Sequence, residues 1–487
     1  MSLYLITLVC YSLLMIVLGA VASRRVRQSS DFFVAGRRLG MGYLAATLIA
    51  ANIGAGSTVG AAGLGYRDGL SAWWWVGSAG MGSLILALSV GPRIWASAKE
   101  NNLFTVGDYL EFRYDRGVRD TAAAFLWLGS LVILAGQLIA VAWILNVVAG
   151  LSKPTGCLLA AVVCTVYFAV GGLHSTVRVN LLQSAVKLAG FTLALVIAVA
   201  GSGGVDGIAD AMKLRLEGNS DSYLSLIGAP FSQYLLVVLP SFVVSPGILQ
   251  KVFGARDKKS VRLGIGLNAV VLLLFAIVPV AFGMLARARL GTLVNRELAL
   301  PSVITELLPH WLGTLLLAAI FSAEISAADA VLFMLTTSLG KDLYKGRLRP
   351  AATDQDLLRF TRWCAAGAGI AGVICAVALN TVISALTIFY SIITAVFLVP
   401  ILCGLYWRGA SAGSVRASMW TTIVVLFAME AGPRVGSHWP ALEPAISVLE
   451  LPAQTWGIPA IVCAIGAGAA MLIARALVEN RSRKPQS

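Results

Sequence analysis

The chain has 487 residues, of which 58% are hydrophobic and 12% charged, with a mean hydropathy of +0.84. Soluble domains carry about 25% charged residues, so this composition excludes a water-soluble fold. The formal charge of +14 comes from 37 Lys and Arg against 23 Asp and Glu, and it lies in short clusters between apolar runs, a pattern of membrane orientation and not of nucleic-acid binding.

Apolar runs long enough to cross roughly 30 Å of hydrocarbon predict an all-α polytopic membrane protein with about thirteen spans. In chain order they fall at 3–22, 42–65, 71–91, 121–149, 155–173, 179–202, 231–252, 263–286, 311–338, 362–380, 382–406, 411–430 and 455–478. The first run ends in Ala20-Val21-Ala22, which mimics a signal-peptidase site. Its positive charge, Arg24, Arg25 and Arg27, follows a long apolar core, whereas a signal peptide carries charge before a short one, so the run reads as a retained span. Lys and Arg are enriched in alternate loops: after the first span, around Arg93 to Arg119, at Lys251 to Arg262, at Lys341 to Arg359, and in the tail at Arg481, Arg483 and Lys484. The positive-inside rule then sets the N-terminus outside and the C-terminus in the cytoplasm of a cell (inner) membrane protein. Trp73, Trp74 and Trp75 read as part of an interfacial aromatic belt. The seven cysteines, Cys10, Cys157, Cys164, Cys364, Cys375, Cys403 and Cys463, lie in or beside spans without CxxC spacing, and read as packing residues.

Two spans are interrupted as helices. The second reads AANIGAGSTVGAAGLGY, with Gly54, Gly56, Gly60, Gly63 and Gly65 around Asn52, Ser57 and Thr58; the seventh reads LPSFVVSPGILQKVFG, with Pro240, Pro246 and Gly247. Broken helices at matching places in two halves point to a transport site, because unwound backbone offers carbonyls to a cation and half-helix dipoles to a solute. Close packing through Gly and a simple Pro kink are the alternative.

Inside the apolar spans three ionisable residues stand out: Lys187, Glu324 and Asp329. A charge at mid-bilayer costs about 2.5 to 3.5 kcal/mol, so such residues face a cavity or a partner and mark ion or proton paths. Ala323, Ser326 and Asp329 are spaced by three and share one helical face, which offers a carbonyl, a hydroxyl and a carboxylate to one cation. For Lys187 and Glu324 the alternative is an ion pair that locks two helices.

Several loop motifs resemble the sodium:solute symporter family. SSDFFVAGRRLG, FTVGDYLEFRYD, LQKVFGARDKKSVRLG, GKDLYK and CGLYWRGASAGSVRASM follow in order from about residue 30 to residue 420. The resemblance implies one membrane transport domain over 1–487: an extra helix at 3–22, a first repeat at 42–202, a second, inverted repeat at 231–406, two further helices over 411–478 and a cytoplasmic tail at 479–487. Each five-helix repeat would begin with an unwound helix, the second and seventh spans. It also implies a sodium site built from the carbonyls of Ala50, Ile53 and Ala323 and the hydroxyl of Ser326. Ala327 stands where the family has Ser or Thr, so one expected oxygen is missing. Asn180 stands where some members carry an Asp for a second ion, while Asp329 stands where they carry a hydroxyl, as though the carboxylate had changed helices.

For the solute, Ser57, Thr58, Gln137, Ser245, Thr387 and Tyr390 are the candidate contacts. The Glu and Asn of the family's sugar carriers are replaced by Val76 and Ser245, which favours a compact amino acid, carboxylate or amide over a sugar. The expected function is symport of that solute with sodium, or with a proton, and no cofactor beyond the transported ion. An enzyme is disfavoured because His174, His310 and His438 match no metal spacing and no GxSxG or P-loop is present. A solute sensor of the same fold remains the other alternative.

Overall fold

In the computed structural model, residues 3–23, 37–216, 220–228, 230–438 and 460–482 are described. Arg24, Arg25, Arg27, the SSDFFVA segment, the beginning of the last predicted span and the final tail lie outside them. Every regular element among the described residues is helical, apart from one isolated bridge between Leu39 and Ala255.

Helix α1 (Leu3–Ser23) precedes two sets of helices, each containing one broken helix. The first set comprises α2 (Met41–Asn52) and α3 (Val59–Asp68), separated by a break; α4 (Trp73–Ile85) with α5 (Gly91–Glu100); α7 (Arg116–Ala149); and the long helical run α8 (Lys153–Gly201). Helix α6 (Val106–Arg113) lies between α5 and α7. After α9 (Gly204–Leu216) and α10 (Ser220–Leu224), the second set comprises α11 (Phe231–Val243) and α12 (Pro246–Phe253), again broken; α13 (Lys258–Phe275) with α14 (Ile277–Arg289); α16 (His310–Thr337); α17 (Asp354–Ala378); and α18 (Val382–Tyr406). Helix α15 (Ala299–Glu306) precedes α16, and α19 (Ala412–His438) and α20 (Ala460–Ser482) close the chain. Nine helices among the described residues are long and apolar enough to cross a membrane, and four shorter apolar ones accompany them.

Run α8 joins what the sequence reads as two spans. Lys153 at its start donates to Leu379 O, close to the start of α18, and Ser202 just past its end accepts from Arg289 at the end of α14. Glu297 bonds both Trp143 near the end of α7 and Val382 at the start of α18, which places all these ends on one side of the bundle. Both ends of α8 therefore lie at the same face, and its residues cross the bundle twice.

Helix starts are set by short polar side chains at the bundle ends. Thr105, Asp115, Asp257, Thr353 and Thr381 accept from backbone N–H groups in the first turns of α6, α7, α13, α17 and α18, satisfying donors that a helix cannot bond internally. The apolar surface divides the same way. Ile370 and Ile374 of α17 are 68% and 67% exposed, whereas Ser57, Thr58, Gln137 and Ser326 around the first break are buried. An outward apolar face and a buried polar interior are what a lipid surround selects.

The two broken helices run past each other and are tied at both ends. At one end Leu39 N donates to Gly254 O at 3.0 Å and Arg256 N to Leu39 O at 2.9 Å, joining the entry of α2 to the exit of α12. At the other, Arg67 Nη2 donates to Tyr234 OH at 2.8 Å, and Tyr234 in turn donates to Asp68. The first break thus faces the second in mid-bundle.

Candidate functional site

Helix α2 stops at Asn52 inside the bundle, which leaves its last carbonyls without intrahelical donors. Apart from Ile49 O, taken by Ile53 N at 2.9 Å, donors must come from neighbours, since lipid supplies none. Lys187 of α8 sends Nζ to Ala50 O at 3.2 Å and to Ile53 O at 3.3 Å. Ser326 of α16 reaches Ala50 O at 3.4 Å, Ser184 reaches Ala46 O at 3.1 Å, and Lys251 of α12 reaches Thr47 O at 3.2 Å. The C-terminal end of a helix carries partial negative charge, so two ammonium groups are electrostatically welcome there.

The unwound segment has its own supports. Ser57 Oγ accepts from Gly54 N at 3.0 Å and donates to Asn52 O at 2.8 Å. Gln137 Oε1 accepts from Ala55 N at 3.0 Å, Trp75 Nε1 donates to Gly56 O at 2.9 Å, and Thr58 Oγ1 donates to Glu324 Oε1 at 2.6 Å. Glycine is needed at position 54 because a Cβ there would stand 2.3 Å from the Cβ of Ala327 and 2.9 Å from Gln137 Oε1. Ala327 therefore packs directly against the unwound backbone.

Between the two breaks lies a cavity of about 100 Å³, several times the space one water needs. One wall is aromatic, formed by Trp75, Phe242, Phe389 and Tyr390; the polar lining comes from Asn52, Ser57, Gln137, Ser241, Ser245 and Lys251. Trp75 and Tyr390 have ring centroids 5.7 Å apart, and Phe242 and Tyr390 5.6 Å, so the wall is one packed aromatic group. Helix α12 begins at Pro246 beside the cavity, so the positive end of its dipole lies there.

Four ionisable residues surround the first break, all 8% exposed or less: Lys187, Lys251, Glu324 and Asp329. The fields of Glu324 and Lys251 reach Lys187, and that of Asp329 reaches Lys251. Glu324 Oε2 is buried with no hydrogen-bond partner among the described residues. Two basic and two acidic side chains thus share one buried region beside the first break.

Of the cation candidates, Ala50, Ile53 and Ser326 converge with Lys187. Ala323 is fully buried on the same helix as Ser326, and Asp329 lies toward Lys251. The side chain of Asn180 lies outside the described residues. Of the solute candidates, Ser57, Gln137, Ser245 and Tyr390 line the cavity, while Thr58 turns to Glu324 and Thr387 is half-buried outside the lining. Two residues stand elsewhere than the sequence reading puts them. Trp75 is 3% exposed and lines the cavity, so it belongs to no interfacial belt. Lys251 is 8% exposed on α12 and not in a solvated loop. Helical spacing carries a signal for both: Trp75 lies four residues before the buried Ala79, and Lys251 three residues after the buried Ile248, so each shares a face with an inward-facing apolar residue.

The family model described as Sodium:solute symporter family matches residues 32–423. The chain is 26% identical over 417 residues to the sodium/pantothenate symporter of Escherichia coli (strain K12), covering 80% of this chain and 82% of that protein. It is 25% identical over 419 residues to the sodium/glucose cotransporter of Vibrio parahaemolyticus, covering 78% and 76%. Among solved structures, a Na+-coupled sialic acid symporter in a substrate-bound outward-open state superposes with a TM-score of 0.76 at 17% identity, covering 98% of each chain.

Proposed function

The chain belongs to the sodium:solute symporter family, and from that premise we propose that it carries a compact organic solute, bound in the cavity between the two breaks, by alternating access coupled to a cation. The observation that carries this reading is the pair of broken helices meeting at one cavity, with four buried ionisable residues behind the first break. Half-helix ends of this kind form solute and ion sites near the membrane midplane.

The aromatic wall suits an apolar body, and Lys251, Gln137 and the start of α12 suit a carboxylate or amide end. Ser57, Gln137, Ser245 and Tyr390 are the proposed direct contacts. The coupling set is Lys187, Glu324, Ser326 and Asp329 with the carbonyls of Ala50, Ile53 and Ala323. Sodium is the driving ion named for the relatives. Proton coupling is the second reading, and Glu324 favours it, because its buried, unpartnered Oε2 has room for a proton.

The proposed disposition is about thirteen crossings of the cell membrane, N-terminus outside and C-terminus in the cytoplasm, with repeats near 42–202 and 231–406. The partners are then the bilayer, the solute and the ion. The test is uptake into proteoliposomes from a panel of labelled amino acids, carboxylates and amides, with sodium and proton gradients imposed separately. The reading expects one compound to accumulate above its external concentration under one of the gradients. Passive equilibration of every compound under both would overturn it.

A further inference from the structure

The Ala50 and Ile53 carbonyls, freed by the end of α2, are the pair that the family resemblance assigns to a sodium ion. They are not open. The ammonium of Lys187 lies 3.2 Å and 3.3 Å from them, on a residue that is fully buried. We propose that Lys187 is a tethered cation that holds this site, so that no free sodium ion binds between α2 and α16.

Three observations support the substitution. First, the donor set fits an ammonium better than a metal ion. An ammonium has three protons; two reach Ala50 O and Ile53 O, and Glu324, whose Oε2 has no partner among the described residues, supplies the counter-charge. A sodium ion must replace its hydration shell with oxygens, and this chain has methyl, not hydroxyl, at Ala327. The loss of one oxygen and the gain of one ammonium occur at the same place.

Second, the charges already balance. The charged groups facing Lys187 are Glu324 from α16 and Lys251 from α12, and Lys251 is within the field of Asp329. Two ammonium groups match two carboxylates. A sodium ion on the same carbonyls would add an unmatched positive charge within hydrogen-bond reach of Lys187, in a medium of low dielectric.

Third, Lys187 has a mechanical role that a free ion would otherwise perform. It ties α8 to the stub of α2, while Ser326 ties α16 to Ala50 O. The junction between the unwound helix and α16 is therefore closed without an ion and stays closed in sodium-free medium.

The proposal rests on the reading of the chain as a cation-coupled symporter, and concerns which cation fills this one site. Its test is the sodium dependence of thermal unfolding of purified protein, comparing sodium chloride with choline chloride at equal ionic strength. The variants are K187M, which keeps the apolar length of the side chain, and K187M/A327S, which also restores the missing hydroxyl. A ligand that binds only the folded protein raises its melting temperature in a saturable way. The proposal expects the double variant to gain a saturable sodium response larger than that of the wild type. A wild-type response equal to or larger than that of the double variant overturns it. Should K187M/A327S not fold, the wild type still decides: a saturable rise with sodium that is abolished by Ser326→Ala places the ion at this site and overturns the proposal, and an absence of such a rise upholds it. Failure of uptake across the solute panel would instead strike the symport reading and leave this comparison intact.

Discussion

The two helix breaks share a position in their repeats but are built in opposite ways. The first is densely held: Ser57, Gln137, Trp75, Thr58 and Lys187 bond its backbone, and a Cβ at Gly54 has no room. The second is sparsely held. Val244 and Ser245 separate α11 from α12, Ser245 makes no side-chain cap, and a Cβ at Gly247 would meet only Met334 Sδ, at 3.3 Å. Glycine chemistry makes one break, and Pro240 and Pro246 the other. Under the proposed symport, the difference suits the first break to a fixed charge site and the second to a wall that shifts as the cavity opens to either side.

The largest expected effect breaks the charge site itself. Asp329→Asn leaves Lys251 without its nearby carboxylate field, and should abolish ion-driven accumulation while solute still equilibrates. Normal accumulation by this variant in proteoliposomes would make Asp329 a structural residue only. Next come the glycines. Gly54→Ala should destabilise the protein by about 1–3 kcal/mol through overpacking and lower its melting temperature, whereas Gly247→Ala should stay within about 1 kcal/mol of wild type. Equal losses in the two would erase the contrast between the breaks. Gly247→Leu, which fills the cavity edge, should insert normally and lose transport; wild-type uptake would make the second break a packing feature.

Ser326→Ala removes one neutral contact at Ala50 O and should cost about 1 kcal/mol of stability, read as a small fall in melting temperature. One further effect lies outside the spans. Burial lifts the Glu297 carboxyl to about 7 against 4.5 for an ordinary glutamate, while Val382 N and Trp143 Nε1 oppose the shift. Between those values the folded chain holds more protons than the unfolded one, so stability should be greatest below the lower value and fall as pH rises from about 4.5 to about 7. Melting temperatures of Glu297→Gln over this range should lose that slope.

Both breaks were legible in the sequence, because Gly clusters and Pro are the residues that punctuate a helix, and the spans were legible because lipid demands long apolar runs. The site was legible only where a side chain announces itself. Gln137, Ser57 and Tyr390 are conspicuous polar or aromatic positions, and they line the cavity. Lys187 was conspicuous too, but its partners are backbone carbonyls, which leave no mark in a sequence, so an ion pair with Glu324 was the natural expectation. Trp75 hid beside Trp73 and Trp74 because adjacent helical residues point in directions about 100° apart, and only the packing of α4 tells which of the three turns inward. Lys251 hid in a basic cluster that reads as a loop. Thr387 and Tyr390 lie on the same face of α18 by spacing, and only the neighbouring aromatic rings show that Tyr390 is the one at the cavity.

Coupled transport through the cavity between these breaks is decided by following one accumulated solute in proteoliposomes while the imposed cation gradient is collapsed with an ionophore. Cation coupling predicts that the internal solute falls back to the external concentration as the gradient disappears, in wild type, and that Asp329→Asn never rises above it. Accumulation that survives collapse of both sodium and proton gradients would contradict cation-coupled symport.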